Sequence, residues 1–201
     1  VLRDKLEATG RYRVIMTRDS DVFISLDERR EIAERNQAAL FIAVHADYAG
    51  AHARGATIYS LRESTAQALQ RSASSEVVNA VLTNEELSGV ERSDARAIRS
   101  ILADLAAREI AVNKERTNTF TRSVIQFMSV STEMRPNADR EANFRVLKTA
   151  KVPSVLIELA YVTNPQDARN LKSNAWRNKV ADSIVTAIDN YFSYQIARLP
   201  M

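Results

Sequence analysis

Leu40-Phe41-Ile42-Ala43-Val44 and Ser154-Val155-Leu156-Ile157 decide the fold. The first is a continuous apolar run of strand length, and the second, introduced by Pro153, is a strand pattern with three apolar residues in succession. Such runs belong where both faces of a sheet are covered, as in the interior of a parallel sheet. Around them the pattern turns helical. Residues 26–39 place Leu26, Ile32 and Ala33 on one face with charges opposite, and the closing stretch repeats Trp176, Val180, Ile184, Ile188 and Tyr191 at steps of four, four, four and three. Asn164-Pro165 reads as an N-cap followed by Pro in the first helical turn. Further strand candidates are Tyr12-Arg13-Val14-Ile15-Met16, residues 55–60, and Phe144-Arg145-Val146-Leu147. Strands alternating with helices predict an α/β domain with a mostly parallel central sheet flanked by helices.

Residues 62–135 read differently. They hold no strand-like run, and helical spacing recurs three times: Val77, Val78, Val81 and Leu82; then Ile98, Ile101, Leu102 and Leu105; then Phe120, Val124, Phe127 and Met128. The expectation is one domain over 1–201 with an all-helical insertion at 62–135. Val1-Leu2-Arg3-Asp4-Lys5-Leu6 reads as the end of an amphipathic helix closed by Gly10. The chain is therefore expected to begin mid-fold, with the N-terminal strand of the sheet missing from it.

Composition narrows the class. Of the 201 residues 45% are hydrophobic and 26% charged, with four Gly and four Pro, which argues against disordered and linker-rich proteins. The balance of 28 basic and 25 acidic residues leaves a net charge of +3, and the arginines spread along the whole chain, so a nucleic-acid partner is not expected. No stretch approaches 18 uninterrupted apolar residues, and no membrane span is expected. The absence of Cys excludes disulfides and thiolate zinc sites. With His45 and His52 as the two histidines, a three-imidazole metal site cannot be built from this chain.

Ligands of parallel α/β sheets bind beyond the carboxyl ends of the strands. His45 follows the first apolar run and Glu158 the second. If the two strands are parallel neighbours, an imidazole and a carboxylate share one rim. That pairing suits a metal ligand plus a general base, or a base plus its orienting acid. Asp47 lies two residues past His45, close enough to join the rim or to hydrogen-bond the ring. The competing reading makes His45 a hydrogen-bonded loop residue and Glu158 a solvated strand end. His52 reads as an exposed loop residue. Arg18 and Arg29 read as structural, pairing with Asp or Glu near the helix at 26–39.

Met16-Thr17-Arg18 with Asp21, then Leu26, Arg29 and Asn36, then the run from Leu40 through His45-Ala46-Asp47, resemble the zinc-dependent N-acetylmuramoyl-L-alanine amidases of the amidase-3 type. Asn143-Phe144-Arg145-Val146-Leu147-Lys148, Val152-Pro153 through Glu158-Leu159, and Thr163-Asn164-Pro165 resemble that family's closing block. Asn143 stands where Gly is frequent, and Ala160-Tyr161 where Gly-Phe is usual. The resemblance implies a periplasmic, monomeric hydrolase of peptidoglycan that cleaves the amide between N-acetylmuramic acid and L-alanine of the stem peptide, with Zn2+ as cofactor. It places a zinc ligand on His45, with Asp47 as a further candidate, and the catalytic carboxylate on Glu158. The family's other zinc ligands, a His and a Glu, fall upstream of Val1.

The insertion resembles the helical regulatory segment of Gram-negative cell-division amidases. That resemblance implies an autoinhibitory helix over the zinc site, displaced by an activator protein with a LytM-type domain. Glu76, which opens the first apolar stripe, is the expected inhibitory carboxylate, with Glu85 and Glu86 as competitors. The alternatives are a non-catalytic peptidoglycan-binding domain and a zinc peptidase acting on cell-wall peptides.

Overall fold

A computed structural model of the chain describes residues 1–50, 52–69, 71–72 and 92–197. Helix α1 (Leu2–Ala8) is closed by Gly10, whose φ of 68° takes the left-handed region beyond the helix end. Helix α2 (Leu26–Arg35) starts at Ser25, whose hydroxyl accepts from the Glu28 amide at 3.1 Å. It ends four residues before the expected limit, with Gln37 at φ 50°. Strands β1 (Phe41–Asp47) and β2 (Ala56–Leu61) follow, then a short helical stretch over 63–69. Helix α3 (Arg92–Met128), strand β3 (Met134–Ala142), a 3-10 turn (Arg145–Leu147), strand β4 (Ser154–Tyr161) and helices α4 (Pro165–Lys172) and α5 (Asn174–Ala197) complete the order.

The four strands form one sheet in the order β1-β4-β2-β3. β1 with β4 and β2 with β3 are parallel, and β2 with β4 is antiparallel. The sheet is thus mixed and mostly parallel, as the apolar runs predict. One face meets α1, α3 and α5 through Ile58, Val155, Ile157, Phe120, Val124, Met128, Val180, Ile184, Ile188 and Tyr191. The other is covered by α2 and the 3-10 turn, where Ala33, Val146 and Leu147 pack on Phe41, Ala43 and Leu156. Because neighbours in a strand point to opposite faces, β4 needs an apolar side chain at every step from Val155 to Ile157.

Three local readings differ from the structure. Residues 12–16 join no ladder among the described residues. Their strand-like composition is used instead to pack Tyr12 and Val14 against the core, and the Tyr12 hydroxyl donates to Asp189 at 2.6 Å. Of residues 144–147, Arg145–Leu147 form a 3-10 turn, since Val146 and Leu147 both bury toward α2 and one tight turn sends them the same way. β3 carries no apolar signature, because among the described strands it is an edge strand paired with β2 alone. Its Pro136 is tolerated at an edge, and Asn137 at φ 55° accommodates a register shift opposite Ala56 and Ile58.

The second and third apolar stripes of the helical segment lie on one helix, α3. Phe120, Val124 and Met128 near its end are fully buried against α5, where Phe120 meets Tyr191 edge-on at 5.4 Å. Ile101 and Leu105, farther up the same helix, are more than half exposed. The first stripe and Glu76, Glu85 and Glu86 lie outside the described residues.

The Asn164-Pro165 signal is met in full: the Asn164 side chain accepts from the Gln166 and Asp167 amides, with Pro165 in the first turn. The cap seats Asp167 in the interior, where its Oδ2 accepts the Gly55 amide at 2.9 Å and the Tyr161 amide at 3.0 Å. Gly55 has φ 83°, and a Cβ there would meet Arg135 N, Glu133 O and Met134 C at 3.1 Å. Asp167→Ala strands two buried amides and is expected to lower unfolding free energy by roughly 2–4 kcal/mol. Gly55→Ala is expected to cost upwards of about 1 kcal/mol. Urea unfolding curves test both, and values within about 0.5 kcal/mol of the parent chain would contradict them.

Candidate active site

β1 and β4 pair in parallel with His45 opposite Glu158, and on the other flank β2 sets Thr57 opposite Glu158. Residues opposed in a ladder project to the same side. His45, Glu158 and Thr57 therefore form a row across three adjacent strands. The row lies on the face that carries Ala43, Leu156 and Tyr59, just past the apolar cover of α2 and the 3-10 turn. Both strands run on beyond their apolar runs, so His45 and Glu158 are ladder residues and not loop residues. They stand toward the carboxyl ends of β1 and β4, where open sheets offer ligand sites.

Burial divides the row. His45 is exposed, whereas Glu158 is only 3% exposed and its Oε1 has no hydrogen-bond partner. Loss of water, reinforced by the negative charge of Asp47 and opposed by the Asp47 backbone amide, pushes the Glu158 carboxyl up to about 7. The imidazole moves the other way. Desolvation and then the Arg29 guanidinium hold its pKa below the ordinary value, against the pull of Asp47. The site thus presents a neutral ring beside a carboxyl that exchanges its proton near neutrality, which is the range a general base needs.

Asp47 stands apart from the row. The ladder shifts register between His45 and Asp47, Asp47 pairs with Tyr161, and its carboxylate accepts the neighbouring Tyr48 amide at 2.7 Å. It acts on both titrating groups through its charge. Among the described residues no group of three or more His, Asp and Glu side chains is arranged to hold a metal ion. What the described residues offer to a metal is the His45 imidazole, with the Asp47 carboxylate two residues on in β1. His52 sits in an exposed turn, as its sequence suggests.

Some residues of the site were not readable from the sequence. Arg29 donates to the Ile24 carbonyl and Arg18 to the Val22 carbonyl, both at 3.0 Å, in place of the expected carboxylate partners. The bond to Ile24 sets Arg29 where its charge reaches His45. Thr57 carried one usable signal: it shares a strand face with Tyr59 and Leu61.

The raised pKa makes a stability prediction. The unfolded chain releases the Glu158 proton near 4.5, but the folded chain keeps it until about 7. Stability is therefore lost as pH rises between those values. Glu158→Gln, which carries no charge, should gain on the parent chain between pH 4 and 8, by at most about 3 kcal/mol. Urea unfolding at the two pH values with chelator present measures the gain. A difference that does not change with pH would show an ordinary carboxylate.

The family described as N-acetylmuramoyl-L-alanine amidase, of the amidase-3 type, matches residues 1–190. The chain is 28% identical over 193 residues to the N-acetylmuramoyl-L-alanine amidase AmiC of Escherichia coli O6:H1, covering 96% of this chain and 45% of that protein. It is 30% identical over 181 residues to AmiA of Escherichia coli K12, covering 89% of this chain and 61% of that protein. The chain thus spans about half the length of the curated relatives it matches. Among solved structures, the catalytic domain of the amidase CwlV from Bacillus (Paenibacillus) polymyxa var. colistinus shares the fold at a TM-score of 0.63 and 20% identity, over 96% of this chain and 79% of that one. The amidase AmiC2 of Nostoc punctiforme superposes at a TM-score of 0.58 with 25% identity, over 96% of this chain and 78% of that one. With residues 1–190 matched, the chain belongs to the N-acetylmuramoyl-L-alanine amidase family.

Proposed function

We propose that this chain is the hydrolytic domain of a peptidoglycan amidase that cleaves the bond between N-acetylmuramic acid and L-alanine of the stem peptide. The observation that carries the reading is the register pairing of His45 with Glu158 in a chain of this family. Glu158, buried and holding its proton up to about 7, takes a proton from the attacking water and returns it to the departing amine nitrogen. One proton is moved and given back, and the C–N bond is replaced by C–O. The β1–β4 pairing holds Glu158 opposite His45 through these transfers.

Zinc is the proposed cofactor, with His45 as the ligand this chain contributes and Asp47 as the further candidate. When bound, the ion would polarise the scissile carbonyl. The described residues do not complete a ligand set, so the proton chemistry assigned to this chain rests on Glu158.

The regulatory part of the reading is autoinhibition by the helical insertion, relieved during cell division by an activator with a LytM-type domain. Ile101 and Leu105, exposed on the upper half of α3, support an outward role for that half of the helix. Glu76, with Glu85 and Glu86 as competitors, remains the proposed inhibitory carboxylate. The proposed location is the periplasm, where the substrate lies. No helix among the described residues is long and apolar enough to cross a membrane.

The test is digestion of purified peptidoglycan by the full gene product with zinc, with soluble products identified by mass spectrometry. The expected products are peptides with free N-terminal L-alanine. Glu158→Gln should reduce their yield by at least about a hundredfold. Intact peptidoglycan from a folded, zinc-loaded protein would favour a binding module, and scission within the stem peptide a zinc peptidase.

A further inference from the structure

Two buried polar residues stand opposite each other in the β2–β4 ladder. Thr57 is fully buried and its Oγ1 has no hydrogen-bond partner; Glu158 is 3% exposed and its Oε1 has none either. The ladder opposes these two residues directly, between Ile58 with Ile157 on one side and the bend at Gly55 on the other. Directly opposed residues of an antiparallel pair have their β-carbons about 4.5–5.5 Å apart, within reach of a short hydroxyl and a carboxyl. Each atom has less than 1 Å² of surface, so water does not reach either of them. A buried hydroxyl and a buried carboxyl oxygen left unpaired side by side are unfavourable, and each is the partner the other lacks.

We propose that Thr57 is a positioning residue for Glu158: the two groups are opposed but unbonded in this structure, and the Thr57 hydroxyl closes onto the sealed oxygen Oε1 when the carboxyl works. The hydroxyl suits both protonation states, since it donates to the carboxylate and accepts from the carboxylic acid. The carboxyl then has a neighbour on each flank, Thr57 on β2 and His45 on β1. The register that opposes the two residues is fixed close by. Asp167 binds the Gly55 amide two residues before Thr57 and the Tyr161 amide three residues after Glu158. Precise orientation of a catalytic carboxyl is worth large factors in rate, since small misplacements are costly. The inference rests on Glu158 being the base of the proposed reaction.

Thr57→Val exchanges the hydroxyl for a methyl group of the same shape, and Thr57→Ser keeps the hydroxyl. The first readout is the urea midpoint, which needs neither substrate nor metal. If the hydroxyl bonds Oε1, Thr57→Val lowers the midpoint in the parent chain, Thr57→Ser lowers it less, and in a Glu158→Leu background the Val exchange lowers it no further. If the hydroxyl is an unpaired atom, Thr57→Val raises the midpoint, and the proposal is overturned. The second readout is steady-state peptidoglycan hydrolysis by the full gene product. The Val variant is expected to lose about tenfold in kcat at unchanged KM, and the Ser variant to recover most of it. A lowered midpoint with unchanged kcat overturns the positioning role. Should the Val variant not fold, Thr57→Ala is compared with Thr57→Ser in the same two measurements. Full activity in Glu158→Gln would instead sink the functional reading, while the midpoint pattern would still report on the bond.

Discussion

One buried oxygen, Asp167 Oδ2, joins the start of β2 to the end of β4. It accepts two backbone amides that belong to different strands, and the strands can meet there in one register only. The helix cap that delivers this carboxylate, Asn164 ahead of Pro165, is local and cheap in sequence terms. Its effect is not local. β4 is the strand through which β1 and its α2 layer are connected to β2 and β3, so the placement of the whole sheet passes through the contact that Asp167 secures. Gly55 is the counterpart, a residue without a side chain where the backbone of 133–135 comes within van der Waals contact.

The same register sets the chemistry. A carboxyl in the middle strand of three has neighbours on both flanks, and here one flank is an imidazole at the solvent edge and the other a buried threonine. Glu158 is thereby asked to carry an ionisable group in a strand that is otherwise apolar from Val155 to Ile157. The cost appears as its raised pKa and its unpaired oxygen. Proteins concentrate such local conflicts where function needs them, and the rest of β4 is free of them.

What was legible in the sequence follows from what each element needs. The runs at 40–44 and 154–157 could be read because a strand covered on both faces has no freedom in composition. His45 and Glu158 stood out as the polar residues that end those runs. Their pairing could be stated only as a condition, since register is a property of two strands and neither run alone shows which strand it meets. β3 was hidden because an edge strand is satisfied by backbone pairing and tolerates Pro136, Asn137 and alternating charges. Residues 144–147 misled in the opposite sense, having strand-like side chains whose burial is achieved by one tight turn. Thr57 is an ordinary strand residue in any sequence reading, and its interest comes entirely from what stands opposite it.

The position of β4 in the chain has a bearing on how the molecule is made. Among the four described strands it comes last in the chain and yet lies inside the sheet, pairing with β1 and β2, which emerge long before it. Until it leaves the ribosome, each of those strands keeps an open edge with unpaired backbone groups and an apolar face, the condition in which nascent chains recruit chaperones or associate with each other. Sheet closure is therefore a late, non-local event, and pairings of that kind are slow to form. Glu158 travels on the strand that closes the sheet. A growing chain consequently cannot set His45, Thr57 and Glu158 in one row until β4 has emerged.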